Sequence, residues 1–380
     1  MSTPSPLRRS RFILFSVVAL DLIGFGVVVP ILPFYAAEFG ASATRLGFLL
    51  MSYSGMQFFF SPFWGRLSDR WGRKRILLIT ITGSALSLIL MASANGFWSL
   101  LLARSLGGFF AANISVANAM MTDLTSEKER MVGMGLIGVA FGIGFLLGPA
   151  LGGALAPYGY SVPILTAALL NLINLIYSFF VLQEPPRHHH IPDPLPQKVL
   201  RQKPVFWLCL IHFLFTLSVN QLESIFAFFM RDRFGYDVRQ VSYVIVLMAC
   251  VMMAVQGGLI RPLSERFGEK KLVLAGSFIL VFSYLVSPHV PWVILLLIPL
   301  CLGSLGRGIV FPSLLSLASK SSGPHLRGAV MGTFQSGASL GRFIGPLIAG
   351  FLYDRWYAAP FCLAALLMAV IFLLAREVVA

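Results

Sequence analysis

The chain has 380 residues and a formal net charge of +14, with 57% hydrophobic and only 12% charged residues. Its mean hydropathy is +0.82. A soluble domain of this size cannot bury so much apolar side-chain surface, because surface area limits burial. The composition therefore excludes an ordinary soluble protein, and lipid must be the solvent for most of the chain.

Apolar runs of about 20 residues, the length that crosses a bilayer of roughly 30 Å as a helix, recur along the sequence. The pattern predicts an all-α membrane protein with twelve transmembrane helices. They are expected at 12–36, 43–64, 76–93, 97–121, 131–156, 161–182, 204–230, 240–260, 272–287, 291–318, 328–352 and 358–375.

The basic charge follows the predicted topology. If the N-terminus is cytoplasmic, 21 of the 29 Lys and Arg residues lie in cytoplasmic segments and only five in outer loops. This positive-inside bias predicts a multi-pass protein of the inner (cytoplasmic) membrane with both termini in the cytoplasm. The charge needs no nucleic-acid partner to explain it.

The sequence repeats with an offset of 195 to 197 residues. Leu67–Lys74 (LSDRWGRK) corresponds to Leu263–Lys270 (LSERFGEK), and Gly148-Pro149 corresponds to Gly345-Pro346. Both halves start on the same side of the membrane, so this is a parallel repeat, with substrate expected between the halves. We predict two six-helix bundles around a central cavity, at 1–183 and 204–380, joined by a cytoplasmic linker at 184–203.

Three motifs resemble those of the major facilitator superfamily. Gly65–Lys74 (GRLSDRWGRK) resembles its loop between helices two and three, and Gly138–Gly153 (GVAFGIGFLLGPALGG) resembles the helix-five motif of its drug–proton antiporters. Asp21–Gly26 and Arg104 fit the helix-one and helix-four motifs of the same antiporters. This resemblance implies proton-coupled drug efflux, as in the twelve-helix antiporters that include tetracycline exporters. Tetracycline exporters carry an acid in helix nine, but Leu272 to Ser287 contains none, which puts tetracycline itself in doubt.

The loop after the second predicted helix is a candidate conformational latch. The resemblance implies that Asp69, Arg73 and Asp123 form a charge triad and that Asp69 caps helix eleven. The proposed latch residues are Gly65, Asp69, Arg70, Gly72, Arg73, Asp123 and the repeat counterpart Glu265. Anchoring of the loop by its positive charges is the simpler alternative.

The fifth predicted helix is rich in glycine and contains a proline. The residues of this helix-five motif are Gly138, Gly142, Gly148, Pro149, Gly152 and Gly153. They could allow tight helix packing, or they could form a bend or sliding surface used in alternating access.

Two acids, Asp21 and Glu223, lie deep in predicted helices. An ionised Asp at the bilayer centre costs about 2.5–3.5 kcal/mol on insertion scales, so such a carboxyl must have a partner, face water or be protonated. We predict that Asp21, Glu223 and Arg104 form the proton-coupling group, with Asp21 ranked first. A purely structural ion pair between Asp21 and Arg104 is the alternative, and Glu223 could instead lie in a polar patch near the outer surface.

Three intramembrane cations, Arg104, Arg307 and Arg342, outnumber these two acids. The excess of one positive charge favours an anionic or zwitterionic substrate, unless the arginines merely bind backbone carbonyls. The candidate substrate-binding residues are Tyr53, Gln57, Asn113, Asn220, Gln221, Glu223, Arg307, Gln335 and Arg342. His188-His189-His190 lies in the linker without a suitable set of ligands, so we expect no metal and no cofactor.

The sequence therefore favours a secondary transporter, expected to be a monomer, rather than an enzyme. Its predicted partners are a small-molecule substrate, protons and the lipid bilayer. Proton-coupled export of an amphipathic drug, metabolite or siderophore is the first hypothesis. Uptake by symport or facilitation is the second, and a membrane sensor is the third.

Overall fold

The computed structural model describes residues 6–125, 130–185, 202–321 and 327–378. Within these ranges the chain forms helices joined by short connections. The α-helices are α1 (Pro6–Glu38), α2 (Ala43–Trp71), α3 (Arg73–Ala92), α4 (Phe97–Phe110), α5 (Asn113–Asp123), α6 (Arg130–Leu155), α7 (Ser161–Val181), α8 (Lys203–Phe234), α9 (Val238–Ala254), α10 (Ile260–Phe267), α11 (Glu269–Val286), α12 (Val293–Lys320), α13 (Arg327–Arg355) and α14 (Ala359–Val378).

Ten helical segments of the described chain are long and apolar enough to cross a membrane. The helices α2 and α13 are long and continuous but are not among these ten. Both carry many small and polar residues: α2 includes a Gly-Arg-Leu-Ser-Asp-Arg run, and α13 includes Gln-Ser-Gly-Ala-Ser-Leu-Gly-Arg. The described chain is therefore helical with ten candidate membrane-spanning segments, and the count of twelve stays a prediction.

Two helices that the sequence predicted as continuous are interrupted. The predicted fourth helix divides into α4 and α5 at Ala111–Ala112. The predicted eighth helix contains a π-helical turn, Val255–Leu259, between α9 and α10. A π turn widens the helix locally and often marks a functional position.

The chain packs into two compact units. The first consists of Met1–Ala41, Ser52–His190 and Tyr236–Val246. Within it, α1 and α6 approach so closely that their glycines are in backbone contact. A Cβ atom on Gly148 would lie 2.5 Å from Gly26 Cα, and one on Gly152 would lie 2.6 Å from the Val27 carbonyl oxygen. Small residues at such spacings allow membrane helices to pack closely.

The second compact unit consists of Ser42–Met51, Ile191–Gly235 and Leu247–Ala380. Within it α13 packs along α8, with Gly341 against the α8 backbone and Gly345 against Asn220. The start of α2 belongs to this unit. There the Asp354 carboxylate accepts hydrogen bonds from the backbone N–H groups of Ala43 and Thr44, at 3.0 and 2.9 Å.

The predicted linker at 184–203 lies outside the described residues except at its ends, as does the triple histidine within it. The cytoplasmic placement of this linker stays a prediction.

Candidate functional site

In the first unit, Asp21 lies on α1 with an amide as its partner. Asn113 Nδ2 donates a hydrogen bond to Asp21 Oδ1 at 2.8 Å. Asn113 is the first residue of α5, so the helix break between α4 and α5 places a helix N-terminus beside the carboxylate. A helix N-terminus carries partial positive charge. The break in the fourth predicted helix therefore builds the surroundings of Asp21.

Side chains of α2 stabilise this break. Gln57 Nε2 donates to the Ala111 carbonyl at 2.9 Å, and Trp64 Nε1 donates to the Phe109 carbonyl at 2.7 Å. Carbonyls that lose their intrahelical partners must bond elsewhere in a membrane. Gln57 was predicted to bind substrate, but in this structure its amide donor is occupied by the backbone.

Arg104 stacks on Tyr53 rather than pairing with Asp21. The guanidinium carbon lies 4.2 Å from the centre of the Tyr53 ring, and the salt bridges among the described residues do not join Arg104 to Asp21. Tyr53 lies close enough to both charged groups to interact with each electrostatically. The structure thus brings Asp21, Tyr53, Arg104 and Asn113 together, with an aromatic ring associated with the cation and an amide bound to the anion.

In the second unit the deeply placed acid, Glu223, has an arginine partner instead of an amide. Glu223 on α8 accepts a hydrogen bond from Arg307 on α12, with Arg307 Nη1 and Glu223 Oε1 at 2.9 Å. Arg342 on α13 is also near enough to act on Glu223 electrostatically. The ion pair joins residues 84 positions apart. Sequence reasoning named both residues but did not predict that they would pair.

The other polar residues predicted near Glu223 form no hydrogen bond with it among the described contacts. Gln221 is fully buried, and its side-chain amide donates to the Gly345 carbonyl at 3.3 Å. Asn220 donates to the Thr216 carbonyl of its own helix at 2.9 Å. Gln335 is exposed on α13. Gln221, two positions from Glu223, lies on a different side of α8, whereas Asn220, three positions away, shares the face of Glu223 but bonds to its own helix.

At the start of α3, Arg73 binds both acids of the predicted triad. Its guanidinium contacts Asp69 at 2.6 Å and Asp123 at 3.0 Å. Arg73 Nη1 also donates to the Ser68 hydroxyl at 2.7 Å. Arg73 and Asp123 are largely buried, whereas Asp69 and Arg70 are exposed.

The turn that carries this triad needs a glycine at one position. Gly72, between α2 and α3, has φ = +105°, in the region that favours glycine. Gly65, the first residue of the motif, is half-buried near the end of α2, with open space where a Cβ atom would lie.

Glu184 is a contact of the latch region that sequence analysis missed. Its carboxylate accepts hydrogen bonds from the backbone N–H groups of Arg73 and Lys74, the latter at 3.0 Å. These are the first two residues of α3, so Glu184 caps that helix from more than 100 positions away in the sequence. In the sequence, Glu184 was only the first residue of the predicted linker.

The repeat counterparts in the second half carry different charges. Glu269 replaces Arg73 and forms an ion pair with Lys320, which stands where the first half has Asp123. Glu265, the counterpart of Asp69, pairs with Arg261 at 3.0 Å, and both side chains are exposed. Glu265 is therefore not part of a triad like that of the first half.

The glycines of the helix-five motif have different surroundings. Gly148 and Gly152 contact α1, and Gly153 contacts Ser242 of α9, whereas a Cβ atom on Gly138 would meet nothing within 4 Å. Pro149 is buried inside α6, and Gly142 is half-buried. Close packing explains part of this motif, and no close contact requires glycine at position 138.

Comparisons with known proteins agree with this architecture. The family model described as Major Facilitator Superfamily matches residues 14–343 and 257–378. The class H tetracycline resistance protein of Pasteurella multocida is 30% identical over 390 residues, covering 97% of this chain and 96% of that protein. Multidrug resistance protein 2 of Bacillus subtilis (strain 168) is 29% identical over 372 residues, covering 94% and 92%.

Solved structures show the same fold. The human organic anion transporter superposes with a TM-score of 0.74 at 27% identity, covering 97% of this chain and 99% of that one. A nucleoside transporter at 14% identity superposes with a TM-score of 0.76, covering 97% and 98%. At that identity the likeness shows the fold alone. The chain belongs to the Major Facilitator Superfamily, and it is a multi-pass membrane transporter rather than an enzyme.

Proposed function

We propose that this transporter exports a small amphipathic molecule in exchange for protons, with Asp21 as the coupling carboxylate. The observation that carries the proposal is the partner of Asp21. It is bound by the neutral amide of Asn113 instead of by an arginine. A carboxylate with a neutral partner can gain or lose a proton without leaving a buried cation unpaired. Glu223 has an arginine partner and is the second candidate.

The exchange is energetically sufficient for efflux. One proton that moves inward releases about 2.3 kcal/mol per 100 mV of membrane potential and about 1.4 kcal/mol per pH unit. Either amount supports a gradient of at least about tenfold for the exported molecule.

Efflux as the direction is supported by the relatives. They include tetracycline resistance and multidrug resistance proteins, and one solved relative is an organic anion transporter. Helix α11 carries an acid only at its first residue, Glu269, which is bound to Lys320. We therefore propose a drug-like or anionic or zwitterionic substrate other than tetracycline.

The test is transport in proteoliposomes with an imposed pH gradient. Three probes cover the charge classes: ethidium as a cation, ciprofloxacin as a zwitterion and carboxyfluorescein as an anion. We expect a pH gradient to drive accumulation of at least one probe. Asp21→Asn, which mimics the protonated carboxyl, should abolish accumulation but keep the exchange of labelled for unlabelled probe. Exchange needs no net proton movement.

Glu38→Gln is the matched control, because Glu38 ends the same helix and is exposed. This variant should accumulate the probe as the wild type does. If Asp21→Asn still accumulates the probe against its gradient, Asp21 is not the coupling site. If no probe responds to the pH gradient, the proposal of proton exchange fails.

We further propose the predicted twelve-helix arrangement in two bundles, a monomer in the bacterial inner membrane, and cytoplasmic termini. The charge distribution supports this orientation. A membrane-impermeant thiol reagent applied to intact cells should label single cysteines at positions 96 and 237 but not at position 198. Labelling at position 198 would reverse the orientation.

A further inference from the structure

The acid site of the second unit has more positive than negative charge. Glu223 is the one carboxylate near Arg307 and Arg342 among the described residues. Arg307 donates to Glu223, and Arg342 Nη2 donates to the uncharged Ser339 hydroxyl at 3.0 Å. One carboxylate thus faces two guanidinium charges, of which Arg307 contacts it and Arg342 acts on it only electrostatically. A buried cation without an anion is costly in a membrane, so a second negative charge would stabilise this cluster.

Two polar groups of the same cluster have no hydrogen-bond partner in the described structure. The Tyr284 hydroxyl is one of them, and its side chain is 1% exposed. Arg307 Nε is the other. Tyr284 interacts electrostatically with both Arg307 and Glu223, so it lies at the same site. Both groups are hydrogen-bond donors, and both could serve an added acceptor.

The two partners of the ion pair differ in exposure. The Arg307 side chain is 11% exposed, whereas that of Glu223 is 55% exposed. The neighbours of Glu223 in the chain, Leu222 and Ser224, are buried. The carboxylate therefore reaches Arg307 from the open side of the cluster, and the arginine is the fixed partner. Another anion can approach Arg307 from that same open side.

We infer that Arg307 and Arg342 form a binding site for an organic carboxylate, and that Glu223 is an internal anion which the substrate displaces from Arg307. Guanidinium groups bind carboxylates through directed, charge-assisted hydrogen bonds. Tyr284 adds a hydroxyl donor to the same anion. This inference deepens the proposed function, because it assigns the substrate class, and it rests on the chain being a small-molecule transporter.

Two roles of Glu223 can be distinguished by how its neutralisation changes the binding of an anion. If Glu223 only helped to bind a cationic group, its neutralisation would weaken substrate binding. If it competes with the substrate for Arg307, its neutralisation must strengthen the binding of an anion and leave a neutral analogue unaffected. The sign of this effect separates the two roles.

The experiment measures, by fluorescence, the affinity of two probes for the purified protein in detergent, where no pH gradient exists. The probes are pyrenebutyrate, an aromatic carboxylate, and pyrenebutanol, its neutral analogue. We expect the wild type to bind the carboxylate at least about tenfold more tightly, the scale of one charge-assisted hydrogen bond. Arg307→Gln and Arg342→Gln should each reduce this preference. Glu223→Gln should strengthen pyrenebutyrate binding by about tenfold and leave pyrenebutanol binding unchanged.

Arg355→Gln is the matched control, since Arg355 ends α13 and stacks on Phe351. It should bind both probes as the wild type does. Retained pyrenebutanol binding and an unchanged gel-filtration profile identify variants that fold. Should Glu223→Gln fail to fold, the two arginine variants still decide the outcome.

Several results would overturn the inference. One is equal affinity of the wild type for the two probes, and another is unchanged or weaker pyrenebutyrate binding in Glu223→Gln. The others are an unchanged preference for pyrenebutyrate in both arginine variants, and no saturable pyrenebutyrate binding to either the wild type or Glu223→Gln. The proposed function fails in a different way. Proton exchange is contradicted by the absence of pH-driven transport, which this binding assay does not measure.

Discussion

The loops after α2 and after α10 derive from the same repeated sequence, but the ion pair at the start of the following helix has the opposite polarity in the two halves. In the first half, Arg73 begins α3 and pairs with Asp123 at the end of α5. In the second half, Glu269 begins α11 and pairs with Lys320 at the end of α12. Each pair therefore joins the start of one predicted transmembrane helix to the end of the next, since α4 and α5 together form the predicted fourth helix.

The comparison shows which part of the latch is structural and which is specific to the first half. An ion pair at this position is common to both halves, so its sign is not essential for joining the two helices. The additional acid differs. Asp69 contacts Arg73, whereas Glu265 contacts Arg261 and has no cation at position 269. Within the described residues, the triad of Asp69, Arg73 and Asp123 has no counterpart in the second half.

The largest effect is expected from reversing one charge of this pair. Arg73→Glu would place three carboxylates together, two of them largely buried, because Asp69 and Asp123 both contact Arg73. Breaking a buried ion pair costs roughly 3–5 kcal/mol, and partial exposure lowers that figure here. We expect Arg73→Glu to lose transport and to lower the thermal midpoint in detergent.

The double variant Arg73→Glu with Asp123→Lys copies the pair of the second half. It should restore the thermal midpoint, because the helix ends are again joined by opposite charges. It should not restore transport, since Asp69 then faces a carboxylate. Full transport in the double variant would show that the pair only joins helices and that Asp69 has no separate role.

The same comparison shows what sequence could and could not predict. Composition and charge predicted a helical membrane protein, and the motif around Asp69 implied its contact with Arg73. The break at Ala111–Ala112 was missed, because it depends on Gln57, which is remote in the sequence. The pairing of Glu223 with Arg307 was missed for the same reason. Local patterns predict helices, whereas long-range partners depend on how the helices pack.

A smaller effect on stability is expected where glycines pack against a neighbouring helix, and the two halves differ in what these glycines contact. A Cβ atom on Gly148 would lie 2.5 Å from the Gly26 backbone, but one on Gly345 would meet the Asn220 side chain at 2.9 Å. Overpacking costs about 1–3 kcal/mol, and more where backbone must move. We expect Gly148→Ala to lower the thermal midpoint more than Gly345→Ala.

Gly138→Ala is the control for both variants, because its Cβ atom meets nothing within 4 Å. Its thermal midpoint should equal or exceed that of the wild type, since alanine favours the helix by up to about 1 kcal/mol. If Gly138→Ala loses transport at unchanged stability, the glycine is needed for a bend rather than for packing.

A still smaller effect is expected at the N-terminus of α3. Glu184 caps it from a distant position, whereas α11 has an acid, Glu269, in its own first turn. Helix caps contribute about 0.5–2 kcal/mol. Glu184→Gln keeps one acceptor but loses the charge, so we expect a loss near 1 kcal/mol, measured as a lower thermal midpoint. An unchanged midpoint would show that the Arg73–Asp123 pair alone fixes the start of α3.

The smallest effect on stability is expected from neutralising Glu265 or Asp69, and the two variants should differ in transport instead. The Arg261 and Glu265 side chains are 88% and 67% exposed, and exposed pairs typically contribute less than about 1 kcal/mol. Glu265→Gln should therefore transport as the wild type does, with an unchanged thermal midpoint.

Asp69 is also largely exposed, but it binds the buried Arg73, which is held by Asp123 and Ser68 as well. Asp69→Asn should keep expression and stability, since those contacts remain, yet lose most of the transport rate if the triad is a latch. Equal transport in Asp69→Asn and Glu265→Gln would show that the triad is not a latch and that both loops are held in place without their acids.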